Sequence, residues 1–499
     1  DIFLNDRLFQ RLKTINEQQD SLLLNAEQKM LLKKYYQNFV RGGANLANTS
    51  KEELRDINKQ LSELALQFGE NVLKEDNAFT LIITDQQDLA GLPPNIVTAA
   101  ADAAKEQNKE GKWIFTLHKP SLIPFLQYSD KRDLRERMFR AYINRGNNND
   151  QLDNKSILTR IVDLRIKKAK LLGYQTYADF VLEENMAQNP QNVYTLLNEL
   201  WSPALAMAKK EALALQEMIR KEGHTFKLQP WDWWYYTEKL RKEKYSLAEE
   251  SLRPYFKLEQ VIDGVFMVAS KLYGITFTER KDIPTYHPDV KVFELQEADG
   301  KHIGILFTDY FPRSSKRGGA WINDFRGQYK KDKENITPII VNVGNFYKPT
   351  STQPALLSFE EVATLFHEFG HALHGLLSNC TYPLLSGTSV PRDFVELPSQ
   401  IMENWAFAPE VMKMYARHYQ THEPIPDELI AKLKQSEKFN QGFITVEYLA
   451  ASFLDLAWHT LTESKEIGVL EFENNALQKI GWIPEIITRY RSPYFQHRS

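Results

Sequence analysis

Apolar residues recur every three or four positions through most of the first 280 residues, on segments that are otherwise polar or charged. Leu54, Ile57, Leu61, Leu64 and Phe68 make one such stripe, the spacing of a helix that buries a single face. Comparable stripes run through Ile157–Leu172 and Val193–Gly223. Pro93-Pro94, Gly146–Asp150 and Gln188–Gln191, rich in Pro, Gly and Asn, are the predicted breaks. Between residues 290 and 347 the pattern changes. Val290–Leu295, His302–Thr308 and Pro338–Val343 are short, β-branched or alternating, and bounded by Gly, Asp and Pro, which predicts strands. Helical periodicity resumes at Ser358. The expected fold is mostly α, with a small β-sheet immediately before the richest motif of the chain.

That motif is Ser358-Phe-Glu-Glu-Val-Ala-Thr-Leu-Phe-His-Glu-Phe-Gly-His-Ala-Leu-His-Gly375. Ser358 and Glu361 have the spacing of a capping box, which predicts a helix start, and Gly375 is the predicted stop. His367 and His371 are one turn apart and project from one face. Such a pair suits one Zn²⁺, which takes imidazole nitrogens at about 2.0–2.1 Å. Glu368 adjoins the first His, placed to take a proton from water without ligating the metal. Val362, Leu365, Phe366 and Leu373 predict burial of the helix, and two His and a Glu buried there without a metal would be costly.

A catalytic zinc needs a third protein ligand and an open position. The longer three-histidine motif requires Gly at position 374 and His at position 377, where this sequence has His374 and Leu377. A carboxylate further along is therefore expected. Glu396 and Glu403 both lie in the segment Arg392–Trp405, seven residues apart and on one helix face, and spacing does not choose between them. The plainer role for Glu396 is the third helical position of a second capping box begun by Asp393. His374 shares the face of His367 and His371, and is expected to pack as a hydrogen-bonded residue rather than to ligate.

Composition narrows the partners. Acidic residues number 65 and basic residues 62, for a formal charge of −3. Nucleic-acid binding requires a basic excess to displace counterions, so no nucleic-acid partner is expected. No apolar run approaches the roughly 20 residues of a membrane span, so no membrane partner is expected either. Cys380 is the single cysteine, which excludes an internal disulfide and the cysteine-rich type of structural zinc site. Length alone suggests about three domains, yet a helical chain of 499 residues can be one co-folded unit. The start at Asp1, without Met or leader, fits a processed or truncated product; the compartment is read as cytoplasmic or periplasmic, the former preferred.

With these residues in view the chain resembles the thimet-oligopeptidase and neurolysin family of zinc metallopeptidases. The resemblance is carried by Phe366-His-Glu-Phe-Gly-His-Ala-Leu-His374, Leu385-Ser-Gly-Thr388 and Arg392-Asp-Phe-Val-Glu-Leu-Pro-Ser-Gln400. Pro230-Trp-Asp-Trp-Trp234, Tyr286-His-Pro-Asp-Val290, Gly318-Gly-Ala-Trp321 and Arg489-Tyr-Arg-Ser-Pro-Tyr494 extend it along the chain. It implies a neurolysin-like zincin, a two-halved helical ellipsoid with a deep central channel and a small sheet beside the zinc helix. Residues 1–50 and 225–434 would form the zinc-bearing half, and 51–224 with 435–499 the facing half. One Zn²⁺ per chain, unfolded oligopeptide substrates and a monomer are implied. The family pattern assigns the third ligand to Glu396, and leaves Glu403 to hold a ligand imidazole through its other nitrogen. The strand near Pro338–Val343 would offer an edge to the peptide backbone, the plainer alternative being an ordinary internal strand of a small sheet.

Members of this family continue beyond the His that matches His497 into a Gly- and Tyr-rich loop that contacts substrate and the oxyanion. His497 is accordingly an expected catalytic donor, and the chain reads as an internal portion of a longer enzyme, short of both family termini. Residues 386–393 resemble the branch of the family that releases C-terminal dipeptides, the peptidyl-dipeptidases or dipeptidyl carboxypeptidases. That activity calls for a basic grip on the peptide carboxylate, and charge suggests Arg489 or Arg491. The competing readings are an oligopeptidase that cuts internally and an inactive zinc-binding fragment.

Overall fold

The stripe from Leu54 to Phe68 lies on a helix spanning Asn48–Ala78, where Leu54, Ile57 and Phe68 are buried and Leu61 and Leu64 flank them. The structure, a computed structural model, describes residues 2–247, 249–463 and 468–495. The other two stripes form the helices Lys155–Leu171 and Pro190–Lys221. The second of these opens with Asn189, whose side chain accepts the Asn192 N–H at 2.9 Å, and with Pro190 in the first turn, both favourable at a helix start.

Nine strands occur among the described residues: β1 (Thr80–Ile83), β2 (Trp113–Thr116), β3 (Thr276–Glu279), β4 (Lys291–Gln296), β5 (His302–Asp309), β6 (Trp321–Arg326), β7 (Tyr329–Lys331), β8 (Glu334–Ile336) and β9 (Ile339–Val343). The three expected strands are β4, β5 and β9. The principal sheet has the order β3-β4-β5-β9-β6, antiparallel except where β5 runs parallel to β9.

This order corrects one expectation. The strand that ends at Val343 is no edge, because β9 pairs with β5 on one side and β6 on the other. Its run Ile-Ile-Val-Asn-Val is largely buried on both faces, as an internal strand requires. The edge on that side of the sheet belongs to β6, where Asn323, Asp324, Phe325 and Arg326 are exposed.

Alternate residues of the sheet enter different cores. Leu306 and Ile340 join Val362, Leu365, Phe366, Phe369, Ala372 and Leu373 of the motif helix, whereas Val292, Phe307, Val341 and Val343 pack on the opposite face. Fully burying one such Leu or Phe contributes about 1.5–3 kcal/mol. Buried residues of the core under the motif helix all lie between Leu247 and Leu433. A second core draws on Ala178–Tyr236 and Phe443–Ile486. The helix Pro230–Tyr245 gives Trp233, Tyr235 and Tyr236 to that second core. Among the described residues no helix is long and apolar enough to cross a membrane.

Candidate metal centre

The motif helix spans Phe359–Leu376. Ser358 Oγ accepts the Glu361 N–H at 3.0 Å and the Glu361 carboxylate accepts the Ser358 N–H at 2.8 Å, the reciprocal capping box expected. The helix runs past Gly375 to a cap at Leu377, so Gly375 is not its stop. What Gly375 provides is clearance: a Cβ there would lie 2.8 Å from Ile340 Cδ1, so the glycine lets the helix settle onto β9.

A second helix, Glu396–Phe407, crosses the first at Gly370. A Cβ on Gly370 would sit 2.6 Å from both the Pro398 carbonyl oxygen and Ser399 Cα. Backbone therefore meets backbone at the crossing, and this brings the first residue of the second helix up to the two histidines. Glu396 Oε2 lies 3.1 Å from His367 Nε2 and 3.0 Å from His371 Nε2. All three prospective ligand atoms fall within 4.8 Å of one another. Ser399 Oγ donates to the same Glu396 oxygen at 2.9 Å. Glu403, two turns on, faces the other side of His367, with Oε1 2.6 Å from Nδ1.

Two nitrogens and one carboxylate oxygen converging from two buttressed helices fit a zinc-type cation with open coordination. The neighbouring Glu368 strengthens that fit. It is 7% exposed, its Oε2 has no hydrogen-bond partner among the described residues, and burial pushes its carboxyl up to about 7 against the opposing charge of His367. An acid held in that range beside a candidate cation site is suited to moving a proton near neutral pH. Burial lowers His371, with Glu396 opposing. Burial also acts to lower His367, but the Glu403 hydrogen bond and the surrounding carboxylates outweigh it and raise the ring.

Other expected residues fall elsewhere. His374 is outside the converging group, and its Nδ1 is buried without a hydrogen-bond partner among the described residues, so the hydrogen bond expected of it is not seen at that atom. Asp393 does not cap the second helix. Val395 occupies the cap position, and the Asp393 carboxylate instead accepts the N–H groups of Met186 at 2.9 Å and Ala187 at 2.8 Å. Arg491 is engaged by Glu473 at 2.6 Å and by the Ile143 carbonyl at 3.3 Å, whereas Arg489 is exposed beside the rings of Tyr448 and Tyr490. His497 lies outside the described residues.

The segment joining the two helices is tied down by residues of the helix Ala26–Arg41 that no motif singled out. Lys34 Nζ donates to the Leu384 and Ser389 carbonyls at 3.2 and 2.5 Å, and Glu27 accepts the Thr381 N–H at 2.9 Å. These partners are some 350 residues distant in sequence, and no local pattern announces them.

The sequence matches the profile of Peptidase family M3 over residues 125–498. This chain belongs to that family. Among curated relatives of the M3 peptidase, it is 41% identical over 500 residues to "Dipeptidyl carboxypeptidase" of Escherichia coli K12, covering 100% of this chain and 73% of that protein. The Salmonella typhimurium protein of the same name gives the same identity and coverage. "Oligopeptidase A" of Escherichia coli is 37% identical over 461 residues, covering 91% of this chain and 68% of its own length.

Proposed function

We propose that this M3 peptidase binds one Zn²⁺ through His367, His371 and Glu396 and releases dipeptides from the free C-termini of unfolded oligopeptides. The observation that carries the chemistry is the convergence of those three ligand atoms within 4.8 Å, next to a buried carboxyl whose Oε2 has no hydrogen-bond partner among the described residues. When bound, the metal supplies a Lewis acid for the scissile carbonyl and lowers the pKa of water towards ~7. Glu368 takes a proton from water as oxygen adds to the carbonyl carbon, and returns it to the amide nitrogen as the C–N bond breaks. Glu403 fixes the ring of His367 through its far nitrogen. His497 is carried as an oxyanion donor from the family resemblance.

The exposed edge of β6 supports an extended substrate, because an edge strand offers unpaired N–H and C=O groups to a peptide. Beside it lies a pocket lined by Asn323, Asp324, Gly375, Ser386, Gly387 and Thr388. Dipeptide release is favoured by the 41% identity to the two dipeptidyl carboxypeptidases, and Arg489, an exposed cation that feels the charges of Glu447 and Glu360, is the proposed grip on the terminal carboxylate. The same reading takes residues 1–50 and 225–434 as the metal-bearing half of a cytoplasmic monomer, with residues 51–224 and 435–499 facing it across a channel.

A second reading, internal cleavage, is favoured by the 37% identity to oligopeptidase A. Mass spectrometry of a ten-residue peptide, offered with a free or an amidated C-terminus, separates the two. Stepwise C-terminal dipeptides from the free form alone support dipeptide release. Equal cleavage of both forms at internal bonds rejects it in favour of the oligopeptidase.

A further inference from the structure

Asn342 sits on β9, inside the sheet, paired with Thr308 on one side and Ile322 on the other. It is 0% exposed, yet neither the oxygen nor the nitrogen of its carboxamide has a hydrogen-bond partner among the described residues. Buried carboxamides are nearly always satisfied. A fully buried, fully unpaired one in a strand of Ile and Val asks for an explanation.

Its position can be read from the register. Ile340, two residues earlier and therefore on the same face, is the side chain that a Cβ on Gly375 would meet at 2.8 Å. One step beyond the Asp309–Val343 pair lies Tyr310, whose phenol feels the charge of Glu368. The line from Ile340 towards residue 344 thus runs beneath the motif helix from Gly375 back towards Glu368. Two strand residues advance about 6.6 Å, the rise of about four helical residues. On that spacing Asn342 would lie beneath His371, four residues before Gly375. His371 is 8% exposed, and its Nδ1 also lacks a partner among the described residues.

The two unpaired groups are complementary once a cation is bound. A metal takes the lone pair of Nε2, which leaves the ring proton on Nδ1, a buried donor in need of an acceptor. Glu403 answers that need for His367. We infer that Asn342 answers it for His371: its carboxamide oxygen accepts the Nδ1–H in the metal-bound enzyme, directly or through one water, and so orients the ring. Asn342 is then a positioning residue for the metal, set by the sheet rather than by the two helices that carry the ligands. This rests on the metal reading of the site.

The test is zinc affinity, measured by competition with a chromophoric chelator on the wild type, N342L and N342D, with urea unfolding of each metal-free protein alongside. Leu removes the acceptor while keeping the branch at Cγ, and Asp keeps the acceptor. N342L should bind zinc 10- to 100-fold more weakly while its metal-free form unfolds at no lower urea concentration than wild type, and N342D should stay within about threefold of wild-type affinity. Should N342L fail to fold, N342V, which copies the flanking Val341 and Val343, carries the same expectation. Zinc affinity of the folded leucine or valine variant within twofold of wild type overturns the role of Asn342 and leaves the metal site standing. A wild type that binds no zinc overturns both.

Discussion

Two carboxylates of a single helix hold opposite sides of one imidazole: Glu403 Oε1 is 2.6 Å from His367 Nδ1, and Glu396 Oε2 is 3.1 Å from its Nε2. In the proposed metal site Glu403 would thereby fix which nitrogen faces the cation. Partners of this kind are typically worth 10- to 100-fold in metal affinity. Glu403→Ala should weaken zinc binding by about that factor, whereas Glu403→Gln, which keeps an acceptor, should lose less. Chelator competition distinguishes them; equal affinity for wild type and alanine variant would show that the ring is held by its helix alone.

Gly370 allows that geometry. Alanine in a helix interior is normally about 1 kcal/mol better than glycine. Here the added Cβ would meet backbone atoms at 2.6 Å, so the helices must separate, at a cost of about 1–3 kcal/mol for an overpacked contact. Gly370→Ala is expected to unfold at lower urea concentration and to bind zinc more weakly, since the shift moves Glu396. A gain in stability would mean that the crossing yields easily.

Because the ligands come from two helices joined by a long segment, the metal should stabilise the folded state by mass action. At a free concentration 100 times Kd the gain is about 2.7 kcal/mol. Zinc should raise the wild-type urea midpoint accordingly, and Glu396→Ala should remove most of that rise while leaving the metal-free midpoint nearly unchanged. An undiminished rise in the variant would place the third ligand elsewhere.

Glu368 carries a pH signature in the metal-free protein. Burial raises its carboxyl from an ordinary 4.5 to about 7, so between those values the folded state holds a proton that the unfolded chain has released. Its contribution to stability is complete below 4.5 and is lost as pH rises through 7. The midpoint of metal-free Glu368→Gln relative to wild type should therefore climb between pH 5 and pH 8. Parallel pH dependence in the two proteins would return this carboxyl to the ordinary range.

How much of this was legible in the sequence depends on how local each feature is. The capping box of Ser358 and Glu361, the shared face of His367 and His371, and the helices under the 54–68 and 157–172 stripes are set within a few turns of chain. The choice between Glu396 and Glu403 is not local. Both lie on one face of one helix, and the close crossing at Gly370 decides which reaches Nε2. Nor could β6 be recognised, since Trp-Ile-Asn-Asp-Phe-Arg has four exposed positions and neither alternation nor a β-branched run, and without β6 the internal strand β9 passed for an edge. Asp393 fits a capping box by spacing, yet its carboxylate is spent on Met186 and Ala187, more than 200 residues away in sequence.

The most direct test of a metal-assisted hydrolysis run by Glu368 is to measure bound zinc and peptide turnover in the same preparations of wild type and Glu368→Gln. One zinc per chain in both, with turnover in the variant lower by ~10²–10⁴-fold, the range of a lost general base, is the predicted result. Zinc retained with turnover undiminished in the variant would contradict the role of Glu368, and a turning-over wild type without zinc would contradict the site itself.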